Sequence, residues 1–479
     1  MGEESNKIAS NTAAQIIGRI FVLALTLISI KLITNYLGPT GTGYYTAIIT
    51  YLSFFIVIAD FGLFSVAVRE ISKRQSERES ILRNVFLVRL ISALAATLVA
   101  IGVIFLSNYS PEVKYGVLAA ALFPVFNLIG SVYDMIFQSK LMMQKVAIAE
   151  VASKAVAVTA IYLVILTQTG FYGIVATISL AALTSFLIKA WLSRRDLPFG
   201  LKYDHESSIN IIKMALPLGI VFIVNNIYFK IDTLMLFYFK GAADVGIYSV
   251  AYRVLETTLF AGSYLSSSLK PLLATSVEND KPKAEKAVTQ ANIFLLFMAL
   301  IIAIICIVFP REIILFLSNS DFLAGAPALV ILGFAAVFIY VGGLFGEVMI
   351  AKDMRRTMIK VSGFILLFNI GLNLLLIPRY SYLGAAIATL ASEIILLVIG
   401  YTVARRALDI NLDTGRISRL LAVSVVSILV AQYLKHLGLY FIVNITLTAS
   451  FYVGLAYIFD AIPKNLVRGY LKSLSLKWQ

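Results

Sequence analysis

Apolar stretches long enough to cross a membrane follow one another along almost the whole chain. A bilayer requires about 20 consecutive apolar residues per helix, and backbone groups in lipid must be hydrogen-bonded within their own segment. Of the 479 residues, 60% are hydrophobic and only 14% are charged. The sequence therefore predicts an all-α polytopic membrane protein with about fourteen transmembrane helices. Their predicted ranges are 10–37, 43–68, 84–107, 113–138, 145–168, 171–193, 207–239, 244–275, 283–309, 325–351, 356–378, 382–407, 417–435 and 439–460.

The basic residues are distributed unequally between alternate loops. If the N-terminus is cytoplasmic, 28 of the 40 Lys and Arg lie in inside segments, and the outside loops hold only Lys114, Lys240, Arg311, Arg379 and Lys435. This positive-inside bias predicts a multi-pass plasma-membrane protein with both termini in the cytoplasm. The net charge of +14 then belongs to a cytoplasmic rim that faces anionic lipid, and no nucleic-acid partner is expected.

A short motif occurs twice, each time between two apolar spans. Gly38-x4-Gly43-x-Tyr45-Thr46 recurs as Gly241-x4-Gly246-x-Tyr248-Ser249, and a second match joins Tyr172–Thr177 to Tyr382–Thr389. Six spans separate the copies, so the two halves share one orientation and form parallel repeats. The predicted domains are an N-lobe of six helices (1–195), a C-lobe of six helices (196–410) and an unrepeated helix pair with a cytoplasmic tail (411–479). A central cavity between the lobes is the expected consequence.

Residues for enzyme chemistry are scarce. The chain has two histidines, His205 and His436, and one cysteine, Cys306, which lies alone in an apolar span. These positions offer neither a metal-ligand set nor a catalytic triad, and no GxxxxGK[ST] motif is present. We therefore expect no catalysis by this chain, no metal and no cofactor.

Ionisable residues within the spans are candidates for function, because each costs a few kcal/mol in lipid unless it is paired or hydrated. Arg19 and Asp60 lie at similar predicted depth on adjacent helices, within reach of each other. A second group surrounds the other glycine turn, where Asp232 is placed to meet Arg253. We predict a central substrate cavity lined by Arg19, Asp60, Asn226, Lys230, Asp232, Tyr248, Tyr252, Arg253 and Glu256. The excess of buried cations favours an anionic substrate such as a phosphate.

The other charged residues within the predicted spans are not assigned to the cavity. Arg89 and Asp134 are close enough to the inner face to extend their side chains towards it. Glu150 and Lys154 are spaced i,i+4 and are interpreted as a structural ion pair. Glu393 lies in the middle of its span with no evident partner, and Asp60 and Glu393 are the candidates for coupling to H⁺ or Na⁺.

Several short stretches resemble one transporter family in their order and spacing. They are Asn35–Pro39 with Gly43–Tyr45, Asp60–Leu63 followed by Arg69, Asp232 followed by Gly246–Tyr252, and Ile377-Pro378 with Leu383–Thr389. Over roughly residues 8–410 the chain resembles the polysaccharide-unit, or lipid-linked oligosaccharide, flippases of the multidrug/oligosaccharidyl-lipid/polysaccharide exporter superfamily. The resemblance implies two six-helix bundles with alternating access. These would move a polyprenyl- or dolichyl-phosphate-linked glycan to the outer leaflet for cell-surface polysaccharide biosynthesis.

The expected partners are therefore a lipid-linked glycan, membrane lipids, a coupling ion and other membrane proteins of glycan assembly. Two alternatives remain open. A multidrug antiporter of the same superfamily would carry cationic drugs, which the surplus of buried bases disfavours. A membrane glycan polymerase or ligase would need catalytic Arg or His in a sizeable outside loop. The longest such loop, around 310–324, holds only Arg311, Glu312 and Asp321.

Overall fold

The protein is helical throughout the part that the structure describes. A computed structural model describes residues 2–73, 77–194 and 205–463, and within these ranges it has helices and no strands, which confirms the all-α prediction. The predicted cytoplasmic tail from 464 onward and the loop 195–204 lie outside the described residues. The α-helices are α1 (Gly2–Asp60), α2 (Leu63–Lys73), α3 (Arg78–Leu106), α4 (Pro111–Ala119), α5 (Leu122–Ser139), α6 (Met143–Thr167), α7 (Gly170–Leu192), α8 (His205–Lys240), α9 (Ala242–Ser268), α10 (Lys270–Asn279), α11 (Lys281–Val308), α12 (Pro310–Leu317), α13 (Ala326–Ala351), α14 (Arg355–Leu408), α15 (Thr414–His436) and α16 (Phe441–Ile458).

The number of membrane spans is compatible with the prediction of fourteen. Among the described residues, ten helical segments are long and apolar enough to cross a membrane, or eleven if the bent α8 counts as one span. Two of the ten are helix pairs joined at a backbone break, at Gly38 (φ 63°) in α1 and at Ser381 (φ 52°) in α14. Both breaks fall where the sequence predicts a turn between spans. The exact count of fourteen stays a prediction.

The first of two compact units comprises Met1–Ser249 together with Leu317–Asp321. The two larger clusters of buried aliphatic and aromatic residues in its interior lie around Leu63 and Ile136 and around Ile48 and Val175. The short segment 317–321 belongs to this unit because α1 binds its backbone. The Thr34 hydroxyl donates to the carbonyl oxygen of Leu317 at 3.3 Å, and the Lys31 ammonium donates to that of Ser318.

Helix α8 packs against α1, α2 and α3. The tightest point joins two glycines: a β-carbon on Gly219 would lie 2.2 Å from the carbonyl oxygen of Phe61, and one on Gly62 would lie 2.7 Å from the Gly219 nitrogen. Side chains at these positions would separate the two backbones. The structure thus groups α8 with the N-terminal helices, whereas the sequence-based boundary at residue 195 assigns it to the C-lobe.

The second unit comprises Val250–Phe316 and Phe322–Gln479. Within it α13 packs on α11 and α14, while α15 packs on α11 and pairs with α16. Tyr452 of α16 stacks on Phe297 of α11 with ring centroids 5.2 Å apart, and its hydroxyl donates to the Phe297 carbonyl oxygen at 3.2 Å. The helix pair that the sequence marks as unrepeated is therefore anchored on α11.

Candidate functional site

Asp60 forms an ion pair with Arg89 rather than with Arg19. Asp60 closes α1, and Arg89 lies eleven residues into α3, so the two side chains meet inside the first unit. The Arg89 guanidinium donates to Asp60 Oδ1 and, at 3.0 Å, to the carbonyl oxygen of Leu128 in α5. Arg89 is only 1% exposed. The prediction that Arg89 extends to the inner membrane face is wrong, because α1 and α5 both offer it acceptors within the helix bundle.

A second buried ion pair joins α5 to α7. Lys189 Nζ lies 2.7 Å from Asp134 Oδ2, and both side chains are largely buried. The prediction that Asp134 extends to the membrane face is wrong, because Asp134 pairs with Lys189, which lies in the last turn of α7 and faces α5.

These pairs belong to one network of charges within the first unit. Arg89 interacts electrostatically with Asp134 as well as with Asp60. Glu150 of α6 interacts in turn with Lys189, and also with Arg19 and Lys154. The network therefore runs through five helices and holds four bases and three acids. Its members are Asp60, Arg89, Asp134, Lys189, Glu150, Arg19 and Lys154.

Glu150 thus interacts with residues besides Lys154, its predicted i,i+4 partner. Its carboxylate interacts electrostatically with bases from three helices, α1, α6 and α7, and with the like charge of Asp134 in α5. Charged groups inside a bundle need such compensation, since an isolated charge in an apolar medium costs far more than a neutral polar group. Arg19, the first predicted cavity residue, enters the network through this carboxylate.

Asp232 of α8 accepts hydrogen bonds from groups close to it in the chain. It is 3% exposed, and its Oδ2 accepts a hydrogen bond of 2.7 Å from the hydroxyl of Tyr248, which is fully buried. Its Oδ1 accepts from the Thr233 backbone N–H at 2.7 Å. The Tyr248 hydroxyl therefore orients Asp232 in this conformation. A contact of either side chain with substrate stays a prediction.

The remaining predicted residues of this group divide between the two units. In α8, Lys230 is half-buried and Asn226 donates to the carbonyl oxygen of Phe222 at 2.9 Å. In the second unit, Arg253 lies 3.0 Å from Glu256 on the same face of α9, and both are about one-third exposed. The neighbouring Tyr252 is buried.

Glu393 is buried in α14 and follows Ser392, a member of a buried polar cluster, in the chain. It is 2% exposed. Its neighbour Ser392 accepts a hydrogen bond of 3.1 Å from the Asn369 amide, and Asn373 donates to Asn369 at 2.9 Å. The two asparagines come from the segment before the break at Ser381, and Ser392 and Glu393 come from the segment after it. We did not predict Asn369 and Asn373, although their i,i+4 spacing in an apolar span was visible in the sequence.

Metal ligation has no support in the described part of the chain. No group of three or more His, Cys, Asp or Glu side chains among those residues could hold a metal ion. The thiol of Cys306 is buried.

Comparison with known proteins places the chain in a family. The sequence profile described as "Polysaccharide biosynthesis protein" matches residues 7–277, which is more than half of the chain. The protein belongs to this family. A second profile, MatE, matches residues 217–375.

Curated relatives of this family member are distant and align only in part. The capsular polysaccharide biosynthesis protein CapF of Staphylococcus aureus is 25% identical over 219 residues, which are 45% of this chain and 55% of CapF. The probable flippase AglR of Haloferax volcanii is 26% identical over 190 residues, 39% of each chain. The chain thus spans about half the length of the first curated relatives that it matches.

Solved structures share the fold over nearly the whole length. The lipid II flippase MurJ in an inward closed conformation has a TM-score of 0.77 at 16% identity, covering 96% of this chain and 100% of MurJ. An inward-facing multidrug resistance MATE family transporter of the MOP superfamily has a TM-score of 0.67 at 14% identity, covering 82% and 98%. At these identities the likeness concerns the fold.

Proposed function

We propose that this protein is a flippase that moves a polyprenyl- or dolichyl-(pyro)phosphate-linked oligosaccharide from the cytoplasmic to the outer leaflet. The observation that carries the proposal is the family match over residues 7–277, because that family is described by its part in polysaccharide biosynthesis. The relative AglR, named a probable flippase, supports the reaction type. Movement of an intact glycolipid breaks no bond, so an enzyme is not required.

The charge network of the first unit supports an anionic substrate. Bases such as Arg19 and Lys189 lie inside the bundle among carboxylates, where a phosphate of the substrate can replace Glu150 as the electrostatic partner. Arginine suits this exchange, because its planar guanidinium binds phosphate with two parallel hydrogen bonds. We therefore assign Arg19 to the lipid phosphate. Lys230 and Arg253 remain the proposed phosphate ligands elsewhere in the chain.

The driving force follows from the sign of the substrate charge. With both termini in the cytoplasm of a plasma-membrane protein, an inside-negative potential favours outward movement of an anion by about 2.3 kcal/mol per charge per 100 mV. Coupling to H⁺ or Na⁺ belongs to the same proposal, with Asp60 and Glu393 as the candidates. Asp60 is paired with Arg89, and Glu393 is 2% exposed.

The decisive experiment is transfer of a labelled polyprenyl-phosphate-linked glycan between leaflets of proteoliposomes. We expect transfer to rise with an imposed inside-negative potential. Arg19→Gln should lower it about tenfold or more, since a hydrogen bond to a charged group contributes about 1.5–3 kcal/mol. Arg19→Lys should retain part of the activity, and Arg356→Gln, which alters an exposed basic residue, is the control. No transfer by the wild-type chain with any labelled glycan would refute the proposal.

A multidrug antiporter is the second candidate, favoured by the MatE match over residues 217–375. Efflux of cationic dyes from the same proteoliposomes, without glycolipid transfer, would establish it. A glycan polymerase or ligase, the enzyme alternative, would instead lengthen or transfer the labelled glycan, and the size of the recovered product distinguishes that outcome.

A further inference from the structure

A cavity of about 610 Å³ opens in the first unit, away from the charge network. Its lining joins the turn that follows the first span to the start of α4 and the start of α7. The side chains that shape it are Tyr36, Thr40, Tyr44, Glu112, Phe171 and Tyr172. Its volume falls within the range of roughly 300–1,000 Å³ that small-molecule sites occupy.

Aromatic rings in mutual contact form one continuous wall of this cavity. Tyr44 and Phe171 meet edge-to-face with centroids 6.1 Å apart, and Phe171 and Tyr172 do so at 5.4 Å. Tyr44 and Phe171 also pack on the buried cluster around Ile48 and Val175, which holds their rings in place. A ligand that lies on this wall therefore does not have to immobilise it, which lowers the entropic cost of binding.

The polar groups of the cavity are one carboxylate and several hydroxyls. Glu112 is exposed, and Thr40 and the tyrosines supply O–H groups. The lining contains Glu112 and no Lys or Arg, so it repels a phosphate. The phosphate and the ligand of this cavity must therefore bind at different places.

The chemistry of the lining fits a pyranose ring. One face of a sugar presents C–H groups with partial positive charge, which pack against the negative face of an aromatic ring. Its hydroxyl groups donate to a carboxylate such as Glu112 and exchange hydrogen bonds with Tyr and Thr hydroxyls. Aromatic rings beside a carboxylate also attract an organic cation, so tetramethylammonium is the competing ligand in the test below.

One residue of the wall differs between the two halves of the duplicated chain. At the 203-residue offset that relates the two glycine motifs, Tyr44 corresponds to Ile247. An aromatic ring needed only for a tight membrane turn would be expected in both copies. Tyr44 is thus an addition to the repeated turn, whereas Tyr172 matches Tyr382 of the second half.

We propose that this cavity binds a neutral sugar unit of the transported glycan through the Tyr44–Phe171–Tyr172 wall and Glu112. The identification of the sugar as part of a substrate rests on the proposed flippase function. The binding itself does not, because it requires neither the lipid carrier nor transport.

The test is saturation-transfer difference NMR on the full-length protein in nanodiscs, with methyl glycosides of glucose, galactose, mannose and N-acetylglucosamine as probes. Irradiation of aromatic protons should transfer saturation to the ring C–H protons of at least one glycoside. Tyr172→Ala removes the outer end of the wall and should weaken binding about tenfold. Glu112→Gln should weaken binding while leaving C–H saturation detectable. Both residues are exposed at the rim, so folding should be unaffected.

Tyr238→Ala is the matched control, because Tyr238 is 74% exposed in the same unit and does not line the cavity. It should bind as wild type does. No transfer to any of the four glycosides, equal binding by Tyr172→Ala and wild type, or displacement of the sugar by tetramethylammonium would each overturn the proposal. Sugar binding without glycolipid transfer in proteoliposomes would refute the flippase and leave the sugar site standing.

Discussion

Gly43 and Ala242 approach so closely that a β-carbon on Gly43 would lie 1.7 Å from the Ala242 carbonyl oxygen. Four residues earlier in the first segment and four residues later in the second the roles reverse, and a β-carbon on Gly246 would lie 1.9 Å from the Pro39 carbonyl oxygen. The two copies of the duplicated motif therefore pack backbone against backbone within the first unit. Only glycine allows this approach without displacing a chain.

Gly43→Ala should consequently lower the melting temperature of the purified protein. The added methyl group must displace the α9 backbone, and overpacking of this kind costs about 1–3 kcal/mol. Gly102→Ala is the control, since Gly102 lies within α3 with open space around its β-position. There alanine should stabilise the helix by about 0.5–1 kcal/mol. Thermal unfolding in detergent compares the two, and equal melting temperatures would contradict the close contact.

The Asp60–Arg89 pair should behave as a coupled unit. Asp60→Asn or Arg89→Gln leaves one buried charge without its partner, which costs about 3–5 kcal/mol. The double variant removes both charges and should be destabilised by less than the sum of the single variants. A double-mutant cycle on thermal unfolding measures this coupling. Additive effects would show that the two side chains do not depend on each other.

Helices and their ends could be predicted from the sequence because they depend on local properties. A run of apolar residues predicts a span, and Gly38-Pro39 predicts a turn, which the structure has as a break in α1. The environment that a side chain faces depends instead on the helices that pack against its own helix. Arg89 was assigned the correct helix and the wrong environment, because its acceptors come from α1 and α5, 29 and 39 residues away.

Contacts between distant segments likewise could not be predicted from the sequence pattern. The repeat showed that Gly43 and Gly246 are equivalent, but equivalence does not predict that the two motifs touch. The aromatic cavity was not predicted from the sequence either. Tyr36, Tyr44 and Tyr172 all belong to segments that the sequence marked as informative, yet the fold alone brings them to one cavity.

The predicted orientation can be tested with single cysteines. Replacing the buried Cys306 by alanine gives a cysteine-free background. Lys240→Cys and Lys281→Cys then introduce exposed thiols at positions predicted outside and inside, respectively. In intact cells a membrane-impermeant maleimide should label Lys240→Cys and should reach Lys281→Cys only after permeabilisation. The reverse pattern would invert the topology and the direction of the proposed transport.

Tyr248→Phe should destabilise the first unit through Asp232. The substitution removes the hydroxyl that donates at 2.7 Å to a carboxylate that is 3% exposed, and loss of such a partner costs about 1–3 kcal/mol. Asp232→Asn keeps an acceptor for the hydroxyl while removing the charge, so Tyr248→Phe should have a smaller effect in the Asp232→Asn background than in the wild type. Tyr401→Phe is the control, because the Tyr401 hydroxyl makes no hydrogen bond among the described residues. Thermal unfolding of the four variants measures the coupling, and an unchanged melting temperature for Tyr248→Phe would remove Tyr248 as the residue that orients Asp232.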